Sequence, residues 1–281
     1  DFGCSAREWF QPGMFSQVLI PIAAALMVLP FGSSWHESRW EQMFRLLAVV
    51  WSEQKYRGWD CRDATIIALL WLISVVSACA GCPGPIVHIA RHTCLVAILS
   101  AVVLGVAFSM VGIFRSLVIG VDATCSDAIA SRQIQLVADS VGLIRSIVHK
   151  VSDDVDLCLR VLWIICILWF PVLVLDMAAF GPHVGHVPGL GVVCGILYML
   201  AQAASVTERC ARVPALISCV DFGPRTERAR QEIVDHILTS AVGVYACDVR
   251  LTTELLMKFV YFWGIAAAAV LLPLSGLGLY Q

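Results

Sequence analysis

Asp176, His183 and His186 fall within the segment DMAAFGPHVGHVPG, and one carboxylate with two imidazoles could bind a divalent metal or titrate near neutral pH. Pro182, Gly185, Pro188 and Gly189 break any helical spacing between them, so a polar turn at an interface, holding no ligand, fits the same residues. No metal is assigned. His88 and His92 follow a second turn, CPGP, and could meet the first pair in space, although the sequence sets no distance between them. Cys79 and Cys82 form a C-x-x-C that closes an apolar segment instead of opening a helix after a strand, which argues against redox or zinc chemistry. Asp153, Asp154 and Asp156 lack the glycine and terminal glutamate of a calcium loop and read as a solvated helix face. There is no H-E-x-x-H, G-x-S-x-G, P-loop or G-x-G-x-x-G opening a helix, so neither an enzyme nor a cofactor is expected.

The elements that must hold these groups are membrane helices. With 59% hydrophobic residues, 14% charged residues and a mean hydropathy of +0.82, the chain is too apolar for a soluble domain and reads as an all-α, polytopic transmembrane bundle. A bilayer core of about 30 Å needs roughly 20 apolar helical residues. The stretches 15–32, 64–82, 93–114, 161–180, 189–205 and 255–279 meet that need, giving one transmembrane domain over 1–281. Lys258, near the start of the last, can snorkel to the interface. Twelve cysteines scattered through apolar runs read as small hydrophobes, not as a disulfide framework. A net charge of -2 excludes a basic field for nucleic acid. The chain starts at Asp1 with no initiator Met and no basic region before its first apolar stretch, so a missing N-terminal part is expected, not a signal peptide.

All but Arg7 and Arg91 of the 19 Lys and Arg fall in 33–63, 115–160 and 206–258. Positive charge stays on the cytoplasmic side, so these stretches are expected inside and the C-terminus outside. Trp40, Phe44, Leu47 and Trp51 recur at helical spacing and suggest an interfacial helix. Val137, Val141, Ile144, Val148, Val151, Val155, Cys158 and Leu162 alternate by fours and threes, one apolar seam on a helix that runs into the span at 161. Asp139, Arg145, His149, Lys150 and Asp153 lie between them and predict a wet opposite face. After the turn signal Gly223-Pro224, residues Arg225 to Arg250 read as a helix carrying Ile233 and Ile237 on one side, with Thr226 as N-cap. Gly243 and the polar run Asp248 to Glu254 separate it from the last span. The regions 115–160 and 206–254 are thus expected as cytoplasmic helical extensions.

In the last span Gly264, Ala266, Ala267, Ala268 and Ala269 would let a neighbouring helix approach closely or leave room beside a conduit. Tyr261, Gly264, Ala266, Ala267, Ala269, Val270 and Pro273 are the pore-lining candidates, and a gate among them would be a hydrophobic constriction. Val137, Val141, Ile144, Val148, Val151, Val155, Ile233 and Ile237 are the candidates for assembly between subunits.

The segment ILTSAVGVYACDVRLTTELLMKFVYFWGIAAAAVLL resembles the insect gustatory and odorant receptor superfamily and the gustatory receptor-like proteins of other eukaryotes. Tyr245, Ala246, Cys247, Asp248, Leu255 and Leu256 match the family's ACG-F-x-(D/N)-x-x-L-L pattern, while Ala266 and Leu272 stand where the family carries Tyr and Gln. The resemblance implies a seven-span plasma-membrane protein, of which six spans are present here. It further implies a homotetrameric or hetero-oligomeric ligand-gated cation channel in membrane lipid, opened by a small organic ligand. A membrane scaffold or transporter of unrelated origin is the alternative.

Overall fold

The computed structural model describes residues 61–80, 86–131, 133–180, 184–220, 222–223 and 226–277. The expected span at 15–32 and the run from Trp40 to Trp51 lie outside the described residues. The chain forms α1 (Cys61–Ala80), α2 (Ile86–Ser131), α3 (Ile134–Phe180), a 3-10 turn (Val184–His186), α4 (Val187–Cys219), α5 (Glu227–Ser240), a hairpin of β1 (Tyr245–Ala246) and β2 (Val249–Arg250), and α6 (Thr253–Leu277). Among the described residues, α1, α2, α3 and α4 are long and apolar enough to cross a membrane. The expected spans 64–82, 93–114, 161–180 and 189–205 correspond to these four, and the expected span 255–279 corresponds to α6.

Helix α2 has 46 residues and α3 has 47. At about 1.5 Å per residue each is about 70 Å long, more than twice a bilayer core of about 30 Å, so part of each must lie beyond any single bilayer. Seam periodicity reveals the α3 extension in the sequence, whereas residues 115–131 prove to be an unbroken continuation of α2.

Helices α1, α2 and α4 pack on one another, and α3 lies against α2. The interior is built from Val103, Ala107, Met110 and Phe114 of α2, Val193, Ile196, Met199 and Leu200 of α4, and Val151, Val155, Leu159 and Leu162 of α3. Large apolar side chains also face outward, among them Leu69, Leu72, Ile73 and Val76 of α1 and Ile164, Leu168 and Leu175 of α3. Exposure on that scale is unfavourable in water and natural in lipid. Close approach of α4 to its neighbours depends on small residues. A Cβ on Gly191 would lie 2.4 Å from Ser74 Oγ and 3.3 Å from the Leu70 carbonyl oxygen of α1, and one on Gly189 would lie 2.1 Å from the Trp169 ring of α3. Pro214 inside α4 withholds the amide that would bond the Cys210 carbonyl one turn earlier, and the Ser218 hydroxyl donates to the Pro214 carbonyl itself at 2.8 Å.

The expected helix from Arg225 to Arg250 is shorter in the structure. Helix α5 ends at Ser240, and Ala241 turns to φ 43°. The chain then folds into the hairpin, with Tyr245 opposite Arg250 and Ala246 opposite Val249. The two loop residues, Cys247 and Asp248, have φ 53° and 61°, the pair of positive values that a two-residue type I′ turn requires. Thr226 stands at the N-cap position of α5, but its hydroxyl donates to the Phe222 and Gly223 carbonyls instead of capping the helix. Because Cys247 has a Cβ in the left-handed region, Cys247→Gly is expected to stabilise the fold by about 0.5–1 kcal/mol. A rise in the unfolding midpoint of the purified protein is the measure, and an unchanged or lower midpoint would count against the turn geometry.

Candidate functional site

Two polar clusters are buried within the bundle. The first joins α1, α2 and α4. Asp63, in the first turn of α1, accepts a hydrogen bond from Arg115 Nη1 of α2 on Oδ2 and one from the Tyr198 hydroxyl of α4, at 2.5 Å, on Oδ1. The Asp63 side chain is 7% exposed and that of Arg115 is 32% exposed. The carboxylate therefore draws on a guanidinium, a phenol and the positive end of its own helix. Arg209 of α4 reaches Asp122 of α2 at 3.2 Å, an exposed pair farther along the same two helices.

The second cluster links the end of α3 to the start of α4. Asp176 and His186 face each other at 3.2 Å, Oδ2 to Nδ1, with side chains 3% and 6% exposed. Beside them the Ser74 hydroxyl of α1 donates to the Leu70 carbonyl at 2.8 Å and approaches the Pro188 carbonyl at 3.3 Å. The structure thus brings together Asp176 and His186 of the expected outer polar site, while His183 lies outside the described residues. Among the described residues no three His, Cys, Asp or Glu side chains gather as a metal site, so His92 does not complete this pair. The side chain of His88 lies outside the described residues, as does Cys82. The described cysteines are free, and Cys79 is exposed.

Much of the apolar seam packs within its own chain. Val137, Val148, Val151 and Val155 of α3 are at most 1% exposed and Ile237 of α5 is 6% exposed. Val141, Ile144 and Ile233 are partly buried against the same core. The part of the seam around Val148, Val151 and Val155 is covered because the chain folds back on itself here: the Tyr245 amide donates to Ser152 Oγ of α3 and the Val244 amide donates to Thr207 Oγ1 of α4, each at 3.0 Å. Arg250 Nη2 closes the loop onto the Val242 carbonyl at 2.7 Å. The opposite face of α3 is solvated as its charges require, with Asp139, Arg145, His149, Lys150, Asp153 and Asp154 all exposed.

Helix α6 is held to α3 by aromatic rings: Trp163 and Phe259 have centroids 4.6 Å apart, and Phe170 and Trp263 stack at 5.6 Å. Of the pore-lining candidates, Ala266 and Ala267 are partly covered, whereas Tyr261, Gly264 and Ala269 are exposed. Val270 and Pro273 belong to the α6 backbone. No described side chain of α6 is fully buried. Lys258 forms a 2.6 Å ion pair with Glu254 one turn earlier, and this ammonium lowers the Glu254 carboxyl from its ordinary value.

Asp63 and Tyr198 carry no recognisable signal in the sequence, and Arg115 reads there only as a topology marker. Their separations of 52 and 135 residues leave nothing local to detect. The one hint is an acidic residue opening an apolar segment directly after Arg62.

A helical bundle with four membrane-competent helices and polar groups buried between them belongs to the class of multi-span membrane proteins. No family model and no curated protein matches the chain.

Proposed function

We propose that this chain is a subunit of a gustatory receptor-like, ligand-gated cation channel of the plasma membrane. Six of its spans would lie in the present sequence, with 115–160 and 206–254 cytoplasmic and the C-terminus extracellular. The observation that carries the reading is the divided terminal element. Helix α5 packs on α4 and the α3 extension, the hairpin packs on α3, and the apolar α6 follows, fastened along one side to α3 and α4 while Met257, Tyr261 and Ile265 stay exposed. A terminal helix attached along a single side is available to line a boundary between subunits. The segment from Ile237 to Leu272, whose resemblance to gustatory receptors first suggested the reading, covers this same element.

A membrane scaffold or transporter is the second reading, and burial of Val137, Val148, Val151 and Val155 within one chain favours it, since those four residues are then not free to gather subunits. The deciding experiment expresses the full-length protein and records current under a panel of small organic molecules. A ligand-evoked cation current is expected. Silence from well-folded surface protein would favour the scaffold or transporter. In the same cells, cysteines placed at the exposed positions Lys150 and Arg228 should react with an impermeant maleimide only after permeabilisation. Labelling of intact cells would reverse the topology and remove the receptor architecture.

A further inference from the structure

The first turns of α3 and the length of α5 enclose a groove of about 520 Å³. Its apolar lining comes from Ile134, Ala138, Val141, Ile233, Ile237 and Val242. The volume falls in the range of small-molecule sites, roughly 300–1,000 Å³. Along α3 the groove runs from Ile134 to Arg145, roughly 17 Å at the helical rise. Arg145 and His236 also line it, and both are exposed. Their Nη1 and Nε2 atoms are 2.7 Å apart. A guanidinium has donors and no acceptor, so Arg145 is the donor in this contact. One N–H of Arg145 is engaged there, out of the five that the group carries. Glu232 is the one carboxylate of the lining, and Arg228 Nε donates to it at 3.1 Å, offsetting its charge.

We propose that this groove binds a single-chain carboxylate amphiphile of the fatty-acid type. The tail lies along Ile134, Ala138, Val141 and Ile233, and the carboxylate accepts from Arg145. The polarity of the groove selects this ligand. Its walls offer aliphatic surface, and Arg145 offers a planar donor fork that matches a carboxylate, donates more weakly to an uncharged head and repels a cationic one. Burial of the tail supplies affinity without requiring further polar partners. The site is independent of whether the protein conducts, because it is defined by binding alone.

The test uses laurate carrying a photoreactive diazirine at its tail end, added to the purified full-length protein in nanodiscs, with labelled peptides mapped by mass spectrometry. Labelling is expected in 134–142 or 229–242, suppressed by unlabelled laurate at about one tenth the concentration of dodecanol that is needed. Arg145→Gln should reduce it on the order of tenfold, the loss expected for one charge-assisted hydrogen bond. Arg145→Lys, which retains the cation, should keep more of it than Arg145→Gln, and Ile233→Trp should block it by filling the groove. Equal competition by dodecanol, labelling unaffected by Arg145→Gln, or labelling confined to the outward faces of α1 and α6 would each overturn the proposal. So would crosslinks showing a second copy of the chain seated in the groove.

Discussion

Arg115→Met is expected to destabilise the folded protein by about 3–5 kcal/mol, because it strips the cation from a buried carboxylate. Asp63 is 7% exposed, and it would face its low-dielectric surroundings with the Tyr198 hydroxyl against one oxygen and no guanidinium against the other. The reverse substitution, Asp63→Leu, should cost less. The Arg115 side chain is 32% exposed, so its charge can turn toward water once the carboxylate is gone. Replacing both, Asp63→Leu with Arg115→Met, should recover most of the loss, since a packed apolar pair leaves no uncompensated charge. Thermal unfolding of the three purified variants in one detergent decides the matter. If the double variant is as unstable as the sum of the singles, the two side chains are not coupled and the cluster is not a unit.

Gly191→Ala is expected to cost about 1–3 kcal/mol, the usual penalty for forcing an extra carbon into a filled contact. Its new Cβ would sit 2.4 Å from Ser74 Oγ and 3.3 Å from the Leu70 carbonyl oxygen, so α1 and α4 must separate or Ser74 must rotate. The serine cannot rotate freely without giving up its 2.8 Å bond to Leu70. Ser74→Ala removes the offending oxygen, so Gly191→Ala combined with Ser74→Ala should be more stable than Gly191→Ala alone. Unfolding midpoints of the four members of this cycle measure the coupling. A double variant no better than Gly191→Ala would mean that Leu70, not Ser74, sets the distance between the helices.

Much of the architecture was legible before any coordinates. Hydropathy located the four membrane-competent helices because each needs a long run of apolar residues to satisfy its backbone in lipid. Seam periodicity placed the extension of α3 because one face of a helix must stay dry over many turns. The end of α5 was misplaced for a local reason. The run from Ala241 to Val244 keeps an apolar helical rhythm in the sequence, yet Ala241 adopts φ 43°, and the hairpin that follows draws its anchoring bonds from Ser152 and Thr207 on other helices. The pairing of Asp176 with His186 was half legible, since both share one segment and a connecting turn returns one toward the other.

By itself the chain determined where its four membrane-competent helices lie, which face of α3 is dry, and where basic side chains collect. These are properties of composition and period along a single helix. Tertiary structure alone decided that Asp63, Arg115 and Tyr198 form one cluster, that Val148, Val151 and Val155 of the seam are covered by their own chain, and that Gly191 lies against Ser74. Each of these depends on the angle and depth at which helices distant in sequence cross. Such crossings are set by the summed fit of many side chains, so no single residue announces its partner.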